Sequence, residues 1–170
     1  MESQLMQENK ELTISEKIIY STKEIAKIIR QELNKKYPDC TFSVVKESNA
    51  INVYLMKANF KVIADFADIP EEALMRKEQD RYTAEQIKAI QAKKYHQLNQ
   101  FQVLGDYKPS EWCNGVFLTE EGHNMFKEVV KISNVYNWDN SDAQIDYFDV
   151  HFYLSIGIGK WDKDFEEVLE

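Results

Sequence analysis

The chain has 170 residues, 44% of them hydrophobic, and a formal net charge of -8, which is enough apolar matter for one packed core and too much for a disordered chain. Its two cysteines, Cys40 and Cys113, form no C-x-x-C pair, so a disulfide framework is excluded and a reducing compartment is expected. No apolar run approaches the ~18 residues of a membrane span, and no basic-then-apolar stretch opens the sequence, so the expectation is a soluble cytoplasmic protein without a secretory signal.

In chain order, residues 1–20 are polar with scattered apolar side chains and read as a flexible N-terminal arm. Residues 21–170 read as a single domain. Ser21-Thr22-Lys23-Glu24 is a capping box, because the serine hydroxyl and the glutamate carboxylate can satisfy each other's backbone donors at a helix start. Ile25, Ile28, Ile29, Leu33 and Tyr37 then recur at helical spacing until Pro38 disfavours helical geometry in the residue before it. Thr41–Val45 and Ile51–Met56 are rich in strand formers and flank the turn chemistry of Glu47–Ala50, which predicts a hairpin. Phe60, Ile63 and Phe66 fit a helical stripe. Pro70 with Glu71 and Glu72 opens a further helix. Thr83 caps another, with Ile87, Ile90, Lys94 and Leu98 on one face. These elements form a charged helical insert at about residues 67–97.

Gly105–Ser110 reads as a loop and Val116–Leu118 as a short extended segment. Thr119 caps a helix running to about Tyr136. The sequence then turns acidic: Tyr136, Trp138, Asp139, Asp142, Asp146 and Asp149 follow with no Lys or Arg between Lys131 and Lys160. From Phe148 to Ile158 apolar residues alternate with Asp149, His151, Tyr153, Ser155 and Gly157, the period of a strand with one buried face. Tyr147 and Phe148 are expected at the edge of the core. Phe165, Val168 and Leu169 suggest a last helical turn. The sum is an α+β fold: a small, mainly antiparallel sheet, hairpin plus long C-terminal strand, packed against helices.

The chemistry these residues allow is limited. Asp139 to Asp146 lacks the glycine of a calcium loop and has Ala143 at a ligand position, so the acids read as turn formers and no metal or other cofactor is expected. Cys113 with His123 or His151 carries no signature of a nucleophile and its base, and no catalytic residue is assigned. Gly157-Ile158-Gly159 lacks the third glycine and the helix start of a dinucleotide fingerprint. Two basic groups, Lys27, Arg30, Lys35 and Lys36, then Arg76, Lys77, Arg81, Lys93 and Lys94, could meet phosphate. The second group, however, is interleaved with Glu71, Glu72, Glu78, Asp80 and Glu85. Residues 101–170 hold fourteen acidic and five basic side chains, against eleven and fourteen in residues 21–100. An acidic surface of this kind steers toward basic partners.

Tyr20 to Arg30 with Phe42-Ser43-Val44 and Ile51-Asn52-Val53, and Tyr136-Asn137-Trp138-Asp139-Asn140-Ser141-Asp142 with Asp146-Tyr147-Phe148 and Phe152-Tyr153, resemble one of the large polyvalent protein-associated domains of phage and conjugative-element proteins. The resemblance covers most of residues 20–164. It implies an accessory protein of a mobile element in a bacterial host and supplies no catalytic residues. By analogy it implies a non-enzymatic counter-defence inhibitor of the anti-CRISPR or anti-restriction kind. The expected partner is then a host defence nuclease such as a Cas effector, met through Tyr136, Trp138, Asp139, Asp142, Asp146 and Asp149, with no membrane involved. The alternative is a nucleic-acid-associated accessory module that uses the basic helices.

Overall fold

The computed structural model describes residues 12–113, 115–146 and 149–169. Of the expected arm, residues 1–11 lie outside the described residues, as do Tyr147 and Phe148, and Ile14–Ile18 forms a short helix, α1. Ser21 caps α2 (Thr22–Lys36) as its sequence predicts: the Ser21 hydroxyl accepts from Glu24 N–H at 3.2 Å, and the Glu24 carboxylate accepts from Ser21 N–H at 2.7 Å. These two bonds hold the Glu24 carboxyl below its ordinary pKa. The hairpin of β1 (Thr41–Glu47) and β2 (Ala50–Ala58) is antiparallel and turns at Ser48, whose φ is +50°.

Three further strands complete a five-stranded sheet: β3 (His96–Leu98), β4 (Tyr153–Ile158) and the short β5 (Glu166–Glu167). The order is β1-β2-β4-β3, with β5 also paired to β2. Antiparallel pairs lie at both edges, while β4 runs parallel to β2 in the middle. The fold is α+β. Ile51, Val53 and Leu55 of β2, Phe42 and Val44 of β1, and Ile156 and Ile158 of β4 are buried in one core. The same core takes Ile25, Ile29 and Leu33 of α2 and Met125, Phe126, Val129 and Val130 of α6 (Glu120–Asn134). Each large side chain so buried stabilises the fold by roughly 1.5–3 kcal/mol. At the β1 edge Arg30 donates to Val44 O at 2.6 Å, which occupies a carbonyl that would otherwise invite another strand.

The structure corrects four local expectations. The strand expected from Phe148 begins at Tyr153, because Tyr153 is paired with Ala50, the first residue of β2, and no strand continues past it. Upstream, His151 N–H donates instead to Trp138 O at 3.0 Å. Residues 61–65 are extended rather than helical, and only a 3-10 turn, Phe66–Asp68, follows: Ile63 bridges Leu118, and Thr119 N–H donates to Val62 O at 2.9 Å. A Cβ on Gly122 would meet Val62 O at 2.6 Å, so this close approach needs glycine. The helix capped by Thr83, α4 (Ala84–Ala92), stops before Leu98, which pairs with Ile156 in the sheet. The last segment is β5, not a helical turn, since Glu166 and Glu167 pair with Lys57 and Ala58.

Within the charged insert, α3 (Glu71–Gln79) and α4 share a smaller core of Ile69, Ala73, Ile87 and Phe117. Gln91 fastens it to the rest of the chain. Its side-chain amide donates to Ala64 O at 2.7 Å and Phe117 O at 3.1 Å and accepts from Phe117 N–H at 2.9 Å. A short helix that sequence spacing does not announce, α5 (Gln100–Leu104), is capped by the Asn99 side chain.

Candidate functional site

Residues 135–146 and 149–152 belong to a loop that folds back on itself. Asp139 and Val150 face each other in an antiparallel bridge, and Asn140 N–H donates to Asp149 O at 2.7 Å. Asn137 imitates a strand residue with its side chain: its amide donates to Phe152 O at 3.1 Å and accepts from Phe152 N–H at 3.3 Å. The base of the loop is therefore held by paired backbone groups.

The aromatic candidates turn toward the protein. Tyr136 packs edge-on against Tyr20 with ring centroids 4.9 Å apart, and burial raises its phenol pKa, helped by Tyr20 and Glu32. Trp138 stacks on His151 at 5.7 Å and 21°, and the imidazole Nδ1 lies 3.2 Å from Tyr136 O. Both rings are partly buried and brace the loop from below.

The carboxylates turn outward. Asp139, Asp142 and Asp146 are exposed, and Asp149 is half-buried. Asp139 accepts from Ser141 N–H at 2.9 Å, and its bonds with Ser141 hold its carboxyl below the ordinary range. Asp142 accepts from Gln144 N–H at 2.9 Å and caps a single 3-10 turn, Ala143–Ile145. Asp146 ends that turn at φ +54°, a left-handed conformation that Asp tolerates better than most residues. The Ser141 hydroxyl takes the N–H of Asp149 at 2.9 Å. The structure thus brings five of the six predicted contact residues into one loop around the 139–150 bridge, while Tyr136 serves at its hinge.

Sequence reasoning passed over Ile145, which is 71% exposed at the tip between two carboxylates. The signal was an apolar residue inside an acidic, turn-forming run. Among the described residues no three His, Cys, Asp or Glu side chains gather closely enough to hold a metal ion. Cys113 is buried and its thiol is pushed up to about 12, chiefly by burial, whereas a nucleophile needs a depressed value. No helix among the described residues is long and apolar enough to cross a membrane.

The basic residues do not gather on one helix. Arg30 is spent on Val44 O, Lys36 pairs with Glu128 at 2.9 Å, and Lys77 pairs with Asp80 at 3.3 Å and lies over the Trp112 ring. Lys88 and Lys94 line one cleft with Lys61.

A family model described as large polyvalent protein associated domain 29 matches residues 20–108, just over half of the chain. The match takes in α2, the hairpin, both insert helices and β3. The acidic loop, which carries part of the resemblance noted in the sequence, lies outside the matched residues. No curated protein matches the chain, and no solved structure matches it.

Proposed function

The chain belongs to the large polyvalent protein associated domain 29 family, which associates it with phages and mobile elements, and from that premise we propose that it is a non-enzymatic binding protein that inhibits a host defence nuclease in the bacterial cytoplasm. The observation that carries this reading is the outward set of Asp139, Asp142 and Asp146 on a loop held by its own backbone, with no Lys or Arg between Lys131 and Lys160. A nuclease holds nucleic acid in a groove of Arg and Lys, and carboxylates presented at fixed positions compete for the same guanidinium and ammonium groups. Ile145 at the tip supplies an apolar contact of the kind that a charged surface alone lacks. Trp138 and His151 hold the loop in place rather than touch the partner directly.

The test is a charge reversal. The tagged protein is used to capture candidate nucleases, of the Cas-effector and restriction type, from lysate treated to destroy nucleic acid, and nuclease inhibition is then assayed with the purified pair. Replacing Asp139, Asp142 and Asp146 together by Lys is expected to weaken binding roughly tenfold or more and to abolish inhibition, with circular dichroism and melting unchanged. Full inhibition by the folded triple variant would falsify the acidic contact. Capture that disappears once nucleic acid is destroyed would count against a direct protein partner.

A further inference from the structure

A cleft of about 250 Å³ opens between residues 61–66, helix α4 and the C-terminal segment, lined by Lys61, Phe66, Lys88, Gln91, Lys94 and Glu167 among others. We propose that this cleft binds a phosphate monoester, with the ammonium groups of Lys88 and Lys94 taking the phosphate and the Phe66 ring flanking the organic part. The site is independent of the acidic loop and of the reading built on that loop.

The argument is one of charge accounting inside the cleft. Lys61 is already neutralised, by Asp65 at 2.8 Å and by Glu167 at 3.8 Å, and Asp65 leads the causes that raise its pKa. The other oxygen of Glu167 is occupied as well, since it accepts from Val62 N–H at 3.1 Å. On the floor, Gln91 is 8% exposed and commits both ends of its amide to Ala64 and Phe117. Both carboxylates in the cleft are thus paired with Lys61, and the Gln91 amide is committed to backbone groups. Lys88 and Lys94 have no carboxylate partner among the described residues. Both line the same cleft, so two ammonium groups without a carboxylate partner meet there.

The chemistry that answers two ammonium groups is a compact dianion. A phosphate monoester carries about -1.5 to -2 charges near neutral pH, and lysine binds phosphate as a point charge without the planar matching that arginine needs. The volume falls below the roughly 300 Å³ at which sites for larger organic ligands begin, which favours a small headgroup over an extended polyphosphate cofactor. The wall that carries Lys94 is fixed. Its carbonyl accepts from Phe165 N–H at 2.9 Å and packs so tightly on Gly159 that a Cβ there would clash with it. A free mononucleotide and the 5′ end of a nucleic acid share this chemistry.

Isothermal titration of the whole protein with inorganic phosphate, adenosine, adenosine monophosphate and two oligonucleotides differing only in a 5′-phosphate or 5′-hydroxyl distinguishes them. The comparison protein carries Lys88→Gln and Lys94→Gln, two exposed positions where the fold, checked by circular dichroism and melting, should persist. Adenosine monophosphate or the 5′-phosphorylated oligonucleotide is expected to bind the unaltered protein at least about tenfold more tightly than its unphosphorylated counterpart, and to lose that margin in the double variant. Binding of the mononucleotide but not the oligonucleotide identifies a free ligand, and a margin between the two oligonucleotides identifies a nucleic-acid end. The proposal is overturned if no monoester probe binds more tightly than its unphosphorylated counterpart, or if the folded double variant binds equally well.

Discussion

The acidic loop and the lysine cleft are both charged, and they are built in opposite ways. The loop is local: Asp139 bonds to residue 141, Asp142 to residue 144, and the longest link, from Asn137 to Phe152, spans a short stretch of chain. The cleft is assembled from residues 61–66, 88–94 and 167, joined only by the tertiary fold. A locally closed loop tolerates changes of charge without loss of the fold, whereas a cleft at the junction of distant segments shares its backbone with the core. The two should therefore respond differently to mutation, and the family match, which includes Lys61, Lys88 and Lys94 but not the loop, follows the same division.

The largest effect is expected where the cleft meets the sheet. Gly159 has φ +67°, and a Cβ there would stand 2.1 Å from Lys94 O. Gly159→Ala should cost about 3 kcal/mol or more, from left-handed backbone strain together with displacement of the Lys94 carbonyl. Urea denaturation measures it, and an unchanged midpoint would mean that the cleft wall is not fixed as described. Next comes Gln91→Ala, which strands the buried Phe117 N–H and the Ala64 carbonyl, while Phe117 O keeps the Ala64 N–H at 2.9 Å. A cost of about 2–3 kcal/mol is expected, with faster hydrogen exchange at the Phe117 amide. If that amide stays protected, another group satisfies it and the insert is not held by Gln91.

These two regions also explain what could be read in the sequence. The acidic loop was legible because its residues are contiguous and Asp, Asn and Ser close turns by their own side chains. The capping box at Ser21, the helix cap at Thr83 and the hairpin were legible for the same reason. The cleft was not. Leu98 sits at helical spacing from Ile87 and Lys94, so periodicity carries the helix through to it, yet pairing with Ile156 on β4 claims Leu98 for the sheet. Phe60, Ile63 and Phe66 fit a helical stripe, but the bridge to Leu118 and the Val62–Thr119 bond draw that segment into an extended path. In both places long-range pairing outweighed a local period. Nothing near residue 61 announces that Glu167 will neutralise it.

A pH series tests the cleft side of the comparison. His96 on β3 is buried, its Nε2 lies 3.0 Å from Lys93 O, and burial first, then Lys93 and Lys94, lowers its pKa below 6.5. With the folded value depressed, the unfolded chain binds the proton more readily. His96 therefore adds stability that is fully present above the unfolded value and is lost as pH falls through 6.5 toward the folded value. The urea midpoint should decline between about pH 7.5 and about pH 5.5, and His96→Gln should flatten that decline. An equal decline in the variant would assign the slope to other groups. Asp139, whose carboxyl is depressed by Ser141, acts only at lower pH: its contribution is present above the ordinary 3.8 and is lost as pH falls below it.

The smallest effect on stability is the most informative for the loop. Asp139 and Asp142 each do two things, accepting a backbone N–H two residues on and carrying a charge. Asparagine keeps the first and removes the second, because its side-chain oxygen closes the same turn. The double variant Asp139→Asn, Asp142→Asn should therefore leave the urea midpoint within about 0.5 kcal/mol of the parent, since both side chains are exposed. Binding to a captured nuclease should nevertheless weaken, mainly through a slower association rate that converges with the parent's as salt is raised. If affinity holds while the charges are gone, the loop acts through its shape and through Ile145. If stability falls instead, the carboxylates serve the fold and the contact lies elsewhere on the surface.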